Sequence, residues 1–250
     1  MWVENSINWS IDMSYLVNPY MVTASGGASC PNDICTDLKA WWDFSDISTI
    51  TKDGSDKVSV VEDKSGNGFD LTQTSGGSHP TWLSADRNGL DTVDFGSAGF
   101  MRASWDVLSQ PHITGGTCYM PNSTTSQLNV YDIYASVDGN SGGGFANSDT
   151  ASTLVIYSPS SVTGSDSGAY STWAYWINTY GSSADMRING SSKGTGDSGS
   201  TGYNGITVNA HRSGSNKGSI IAGEIFIYTS ALSGSDITAL ETYLSDKWGF

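Results

Sequence analysis

The chain has 250 residues, with 11 Lys and Arg against 25 Asp and Glu, a formal net charge of −14. Affinity for nucleic acid comes largely from Lys and Arg on phosphates, so an acidic chain without a basic run excludes that partner, and an anionic membrane surface with it. Thirty Gly, 9 Trp and 12 Tyr lean towards sheet, and a chain this long buries a core without needing metal or disulfides.

Residues 1–36 stand apart from the rest. They carry Trp2, Trp9, Tyr15 and Tyr20, almost no cation, and end in the loop-like TASGGASCPND. The segment lacks a basic start and an unbroken apolar run, so it does not read as a signal peptide. It is too short for its own core and too apolar to stay solvated, and is expected to pack on something. One reading makes it an extra strand across the main domain; the other makes it an arm that anchors on another chain. Cys30 and Cys35 close the short loop CPNDIC, which leaves both a local disulfide and free thiols open.

From Leu38 onward, short apolar runs alternate with turn signals, the pattern of a sandwich or barrel. Candidate strands are 38–44, 57–63, 69–73, 90–95, 128–134, 152–158, 172–178, 184–190, 205–210 and 218–228. The tract DGNSGGGFANSD (138–149) reads as a loop. Asn189-Gly190 signals a tight hairpin, because both central positions of a type I′ turn need positive φ. The chain ends in a helix. Ser233 or Ser235 caps it, Ile237, Leu240, Leu244 and Trp248 form one apolar stripe, and Gly249 stops it. The expected fold is an all-β, two-sheet antiparallel sandwich over residues 37–250, with that helix packed on it and an extended arm ahead of it.

Two segments resemble a known family. LKAWWDFSDISTIT followed by VSVVEDKSGNGFDLTQ is similar to the opening of the concanavalin A-like, laminin G-like jelly rolls found in bacteriophage and bacterial surface proteins. GEIFIYTSALSGSDITALETYLSDKWGF is similar to that family's closing strand and final helix, and the hairpin at Arg187–Gly190 matches one near its middle. The likeness covers about 210 residues in order and spacing, and is weak between Met101 and Ser171. It implies a jelly roll that serves binding or structure. Taken with the aromatic arm, it points to a non-enzymatic structural protein of a virus particle, a bacteriophage capsid decoration or appendage protein. Residues 1–36 would then join other virion proteins, and the sandwich would meet host surface glycans. A homo-oligomer, a trimer by analogy, and a place on the virion surface go with that reading. The alternative is a free-standing extracellular lectin, calcium-dependent or not, and a divergent glycosidase comes third.

Catalysis of the glycosidase kind needs two carboxylates side by side, about 5 Å apart for the retaining reaction. The four glutamates, Glu4, Glu62, Glu224 and Glu241, are too far apart in sequence to share one strand, so no enzyme is expected. GNSGG (139–143) and GTGDSG (194–199) match nucleophile and phosphate motifs without the strand–helix context these require. No cofactor is required. Calcium is the metal to consider, since it takes oxygens from Asp and Asn in loops. Asp43 with Asp46, and Asp63 with Asn67 and Asp70, supply such oxygens, though Lys64 sits inside the second group and Asx-type turns explain both. Sugar binding needs an exposed aromatic face beside Asp or Asn. Trp82, Trp105 and Tyr203, then Tyr119, Tyr170 and Tyr180, lie near loops, whereas Trp42, Trp173, Tyr175 and Trp248 are expected in the core.

Overall fold

In a chain whose helix formers are scarce, apolar alternation drives nearly everything into antiparallel sheet. The structure is a computed structural model that describes residues 30–105, 112–120, 129–134, 142–147, 153–157, 160–165, 171–199 and 202–250. Strands β1 (Leu38–Asp43), β2 (Ile50–Lys52), β3 (Val58–Val61), β4 (Leu71–Thr72), β5 (Thr81–Arg87) and β6 (Leu90–Asp94) come first. Then follow β7 (Met101–Ser104), β8 (Ile113–Met120), β9 (Asn129–Tyr134), β10 (Gly142–Asn147), β11 (Thr153–Tyr157) and β12 (Ser161–Ser165). The last are β13 (Thr172–Thr179), β14 (Ala184–Ile188), β15 (Ser191–Gly196), β16 (Gly205–Val208) and β17 (Ile221–Tyr228), before helix α1 (Gly234–Trp248).

These strands make the two packed sheets of a jelly-roll-like sandwich. One has eight strands in the order β15-β14-β13-β8-β17-β6-β5, with β1 also paired to β17; the other has nine, β12-β11-β10-β9-β16-β7-β4-β3-β2. Between them lies one core, filled by Trp42, Phe44, Phe95, Tyr131, Phe145, Trp176 and their aliphatic neighbours. The predicted hairpin is present: Asn189 and Gly190 have φ of 47° and 75° and join β14 to β15. Each of the ten predicted strands also corresponds to an observed one.

The 138–149 loop reading is corrected, because β10 runs through it between β9 and β11. A side chain at Gly144 would collide with the Tyr131 carbonyl and the Tyr157 hydroxyl, so glycine here marks a close approach inside a strand. Strand β8 was hidden for the same reason. It sits centrally between β13 and β17, yet a side chain at Gly116 would collide with the Glu224 backbone.

Helix α1 lies on the outer face of the eight-stranded sheet, where Leu240, Tyr243, Leu244 and Trp248 meet Trp41, Ile113, Ile177 and Phe226. Ser233 Oγ accepts from the Asp236 N–H at 3.2 Å and caps its start. At its end Gly249 adopts a φ of 71°. Arg87 donates to the carbonyls of Trp248 and Gly249, both at 2.8 Å, and Asn88 to that of Lys247 at 2.9 Å. A cation on the last carbonyls is the favourable end of the helix dipole. No helix among the described residues is long and apolar enough to cross a membrane.

A disulfide joins Cys30 to Cys35, and the turn it closes docks on this side of the molecule. Asn32 donates to the Ala239 carbonyl at 3.3 Å, and the Tyr228 hydroxyl donates to the Ile34 carbonyl at 2.8 Å. The body packed on the sandwich therefore extends back from residue 37 to Cys30. Trp2, Trp9, Tyr15 and Tyr20, the residues of the expected anchoring arm, lie outside the described residues.

Under the helix is a knot of buried charge. Glu224 of β17 accepts hydrogen bonds from the indole N–H groups of Trp41 (3.0 Å) and Trp248 (2.6 Å) and from the Tyr243 hydroxyl (2.9 Å). Lys247 Nζ lies 3.4 Å from Glu224 and 2.9 Å from Asp43, and Asp43 lies 3.2 Å from Lys64, which reaches Asp46 at 2.8 Å. Burial raises the Asp43 carboxyl, but the Lys247 and Lys64 ammoniums and the Ser45 hydroxyl outweigh it and hold it at about 2.

A carboxyl lowered in the folded state contributes stability above its unfolded value of 3.8, which is lost as pH falls through about 2. The contribution is about 2 kcal/mol. Thermal melts between about pH 5 and pH 2 should show a steeper fall in Tm for the parent than for Asp43→Asn. Equal slopes would rule out Asp43 as a source of acid sensitivity.

Candidate binding face

With one outer face under α1, the outer face of the nine-stranded sheet is the other broad surface of the sandwich. Side chains alternate along each strand. Tyr131, Ile133, Ile206, Val208, Met101 and Ala103 point into the core, so Asp132, Thr207 and Arg102 point outward. Register sets them in one row across six strands, Arg102–Thr207–Asp132–Gly144–Tyr157–Ser161. Gly144 forms a bare floor beneath the Tyr157 ring, and Gly205 does the same beneath Tyr134.

Asp132 is the centre of this row and is fully buried. The loop after β16 folds over it: the Arg212 N–H donates to Oδ2 at 2.7 Å, and the Arg212 guanidinium and the His211 ring lie 3.6 and 3.5 Å away. Its other oxygen, Oδ1, makes no well-formed hydrogen bond among the described residues, although the Tyr157 hydroxyl is near enough to lower the carboxyl, and the Tyr134 hydroxyl makes none. Buried polar groups are nearly always paired, and of the eight such unpaired side-chain atoms among the described residues these two lie on this face. Burial pushes the Asp132 carboxyl up to about 6 against the pull of the Arg212 N–H and guanidinium. Burial and the Arg212 charge both hold His211 below the ordinary histidine value. Around this floor the rim is polar. The Tyr157 hydroxyl donates to Asn129 at 3.1 Å, and Arg102 donates to Thr207 at 3.3 Å and to the Arg212 carbonyl at 2.6 Å.

Sequence reasoning placed the site elsewhere. Trp105 and Tyr203 are 7% and 0% exposed and belong to the core, so the expectation of free ring faces there is corrected. Tyr180 is buried as well, with the His112 ring stacked on it at 4.5 Å, while Tyr119 is half-buried. Trp82 is half-buried at the sheet edge, with the Lys52 ammonium 4.6 Å above its ring. Tyr170 lies outside the described residues. The structure does not gather these aromatics into one surface. Of the four rings expected in the core, Trp42, Tyr175 and Trp248 are buried, and Trp173 is half-buried, stacked on Trp248.

The oxygens considered for calcium are brought together, but around a lysine. Asp43 and Asp46 flank the Lys64 ammonium. Asp63 accepts from the N–H groups of Trp41, Ser65 and Phe69, and Asp70 accepts from the Asp63 N–H at 2.8 Å. Asn67 donates to the carbonyls of Leu38 and Lys39, both at 3.0 Å. This turn staples β1 to the strands that follow. Among the described residues no group of three or more His, Cys, Asp and Glu side chains is placed to hold a metal. The GTGDSG motif is structural too. Its first residues lie in β15, and buried Ser198 Oγ accepts from the Gly181 N–H at 2.9 Å.

No protein family and no curated protein sequence matches the chain. Solved structures show its fold. It is similar to domain 4 of a GH43 extracellular arabinanase from Geobacillus stearothermophilus, solved in complex with arabinotriose. The TM-score is 0.58 at 16% identity, over 82% of this chain and 98% of that one. The binding domain of Paraclostridial Mosquitocidal Protein 1 gives a TM-score of 0.59 at 15% identity, over 86% of this chain and 55% of that one. Trypanosoma rangeli sialidase in complex with the inhibitor DANA gives 0.57 at 11% identity, over 82% of this chain and 32% of that one. The chain thus spans about half of the toxin domain and a third of the sialidase.

A carboxyl raised from 3.8 to about 6 in the folded state contributes stability that is complete below the unfolded value and lost as pH rises through about 6. Asp132→Asn should therefore raise Tm at about pH 7.5, by the equivalent of about 2–3 kcal/mol, and change it little near pH 4. The groups facing it, Arg212, His211 and Tyr157, are kept in both proteins. A variant that is less stable at the higher pH would show that the ionised carboxylate is a structural asset.

Proposed function

We propose that this chain is a carbohydrate-binding module of the concanavalin A-like, laminin G-like kind, acting without catalysis, through the outer face of its nine-stranded sheet. The observation that carries this reading is the pair of unsatisfied, buried oxygens on Asp132 and Tyr134. They stand over a glycine floor, ringed by Tyr157, Asn129, Arg102 and Arg212. Sugars present ring faces and hydroxyls in alternation, and such a surface offers aromatic edges with fixed acceptors and donors. The fold of the arabinanase domain solved with arabinotriose supports the ligand class.

Two further features support a binding role. Glu224 is held by two indoles, a tyrosine and Lys247, and Glu241 by Arg187 at 2.8 Å, so neither carboxylate is free for general acid or base work. Lys64 supplies the positive charge at the Asp43–Asp46 cluster, which favours a reading in which binding needs no calcium.

Attachment through the N-terminal segment, on a virus particle or elsewhere, is a second reading with one observation in its favour. The turn from Cys30 to Cys35 docks on the helix side of the sandwich, opposite the Asp132 face. A module tethered there would present that face outward.

A glycan microarray followed by calorimetry, with and without a chelator, tests the proposal. We expect chelator-insensitive binding to at least one oligosaccharide class, arabino-oligosaccharides being the first to try. Tyr134→Phe should weaken it about fivefold, and Asp132→Asn about tenfold. Absence of any glycan binding, or unchanged affinity in both variants, would sink the assignment.

A further inference from the structure

Only 11 of the 250 residues are Lys or Arg, yet three of them, Arg102, Arg212 and Lys217, converge at one end of the Asp132 row, beside His211. Phe100, immediately before β7, organises them. The Arg102 guanidinium lies 4.7 Å from the centre of its ring and the Lys217 ammonium 5.6 Å. Lys217 is brought there by a bridge between its backbone and that of Asn129 at the start of β9. Gly214 packs against the same ring and against Arg102, which donates to the Arg212 carbonyl at 2.6 Å. The loop after β16 is thereby tied to the sheet.

Charge pairing at this cluster is lopsided. Asp132 faces Arg212, and no described carboxylate pairs with Arg102 or Lys217. Elsewhere Lys52, Lys64, Arg187 and Lys247 each lie within reach of an Asp or Glu, whereas Lys57 and Arg87 rest on a hydroxyl and on helix-end carbonyls and Lys39 on the Phe69 ring. In a molecule of net charge −14, two neighbouring cations without a carboxylate among the described residues run against the surrounding field. The Phe100 ring in contact with both offsets part of their repulsion, which makes the arrangement stable without an anion and ready for one.

We propose that the glycan held by this face is acidic, its carboxylate or sulfate ester seated between Arg102 and Lys217 while neutral hydroxyls reach Asp132 and Tyr134. This rests on the carbohydrate-binding reading and names the class of sugar within it. Arg102 keeps N–H groups beyond those it gives to Thr207 and the Arg212 carbonyl, and Lys217 adds a point charge from the side.

The test is calorimetric titration with matched pairs at about 50 and 300 mM salt: uronate oligomers against their neutral counterparts, and sulfated against unsulfated galacto-oligosaccharides. The acidic member of at least one pair should bind about tenfold or more tightly, with an advantage that shrinks at the higher salt. Lys217→Gln, which removes no hydrogen bond seen in the protein, should reduce acidic binding to the neutral level and leave neutral binding alone. Arg102→Gln should likewise remove the preference for the acidic member if it stays folded by thermal melt. The carboxylate and sulfate arms tell the two anions apart. Neutral sugars bound as tightly as acidic ones, with Lys217→Gln silent, would overturn this inference and leave the glycan reading standing. Failure of every sugar to bind would overturn both.

Discussion

Everything about this sandwich depends on how Lys247 is buried. An ammonium withdrawn from water costs several kcal/mol unless the geometry returns it, and here Asp43 and Glu224 flank it while the rings of Trp41, Tyr243 and Trp248 close around it. These residues come from β1, β17 and α1, the first strand, the last strand and the terminal helix. The knot therefore joins the two ends of the domain, and neither β17 nor α1 can move without exposing an unpaired charge. Arg87 and Asn88 hold the helix end from a third direction.

That constraint decides where function can reside. The knot draws α1 onto the eight-stranded sheet, where its apolar stripe covers Trp41, Ile113, Ile177 and Phe226. The turn closed by Cys30 and Cys35 covers the same side. Polar chemistry is pushed to the opposite sheet, where Asp132 is buried without being fully bonded. A group whose ionised form the fold disfavours, kept in the middle of a sheet face, is what the usual trade of stability for binding looks like.

How much of this was legible in the sequence follows from where each signal resides. The ends read clearly because their constraints are local: a helix stripe at fixed spacing, a serine cap, an Asn-Gly turn, Asp residues that bond their own turns. The residues that carried the family likeness, Trp41 to Asp46, Asp63 to Asn67 and Lys247 to Gly249, prove to be those of the knot and its staple, so they announce the fold and not the ligand. The middle resisted because β8 and β10 are built on glycines chosen for neighbours far away in sequence, the Glu224 backbone and Tyr131 among them. The Asp132 row was invisible because its members lie on different strands and meet only through register. One signal was present: an aspartate inside the otherwise apolar run NVYDIY, and a charged residue in a core strand is more informative than an aromatic near a loop. Trp105 and Tyr203 were misread because sequence position cannot tell a ring at a sheet rim from a ring beneath it.

The dependence on the knot is measured most directly by a double-mutant cycle on Glu224→Gln and Lys247→Met, followed by chemical denaturation at neutral pH. Each single change deprives a buried charge of one of its partners and should cost about 3 kcal/mol, while the pair removes both charges and should cost well under the sum of the singles. A coupling above about 1 kcal/mol is the predicted result. Additive losses would show that Lys247 and Glu224 act independently, and that something other than their pairing fixes the helix to the sandwich.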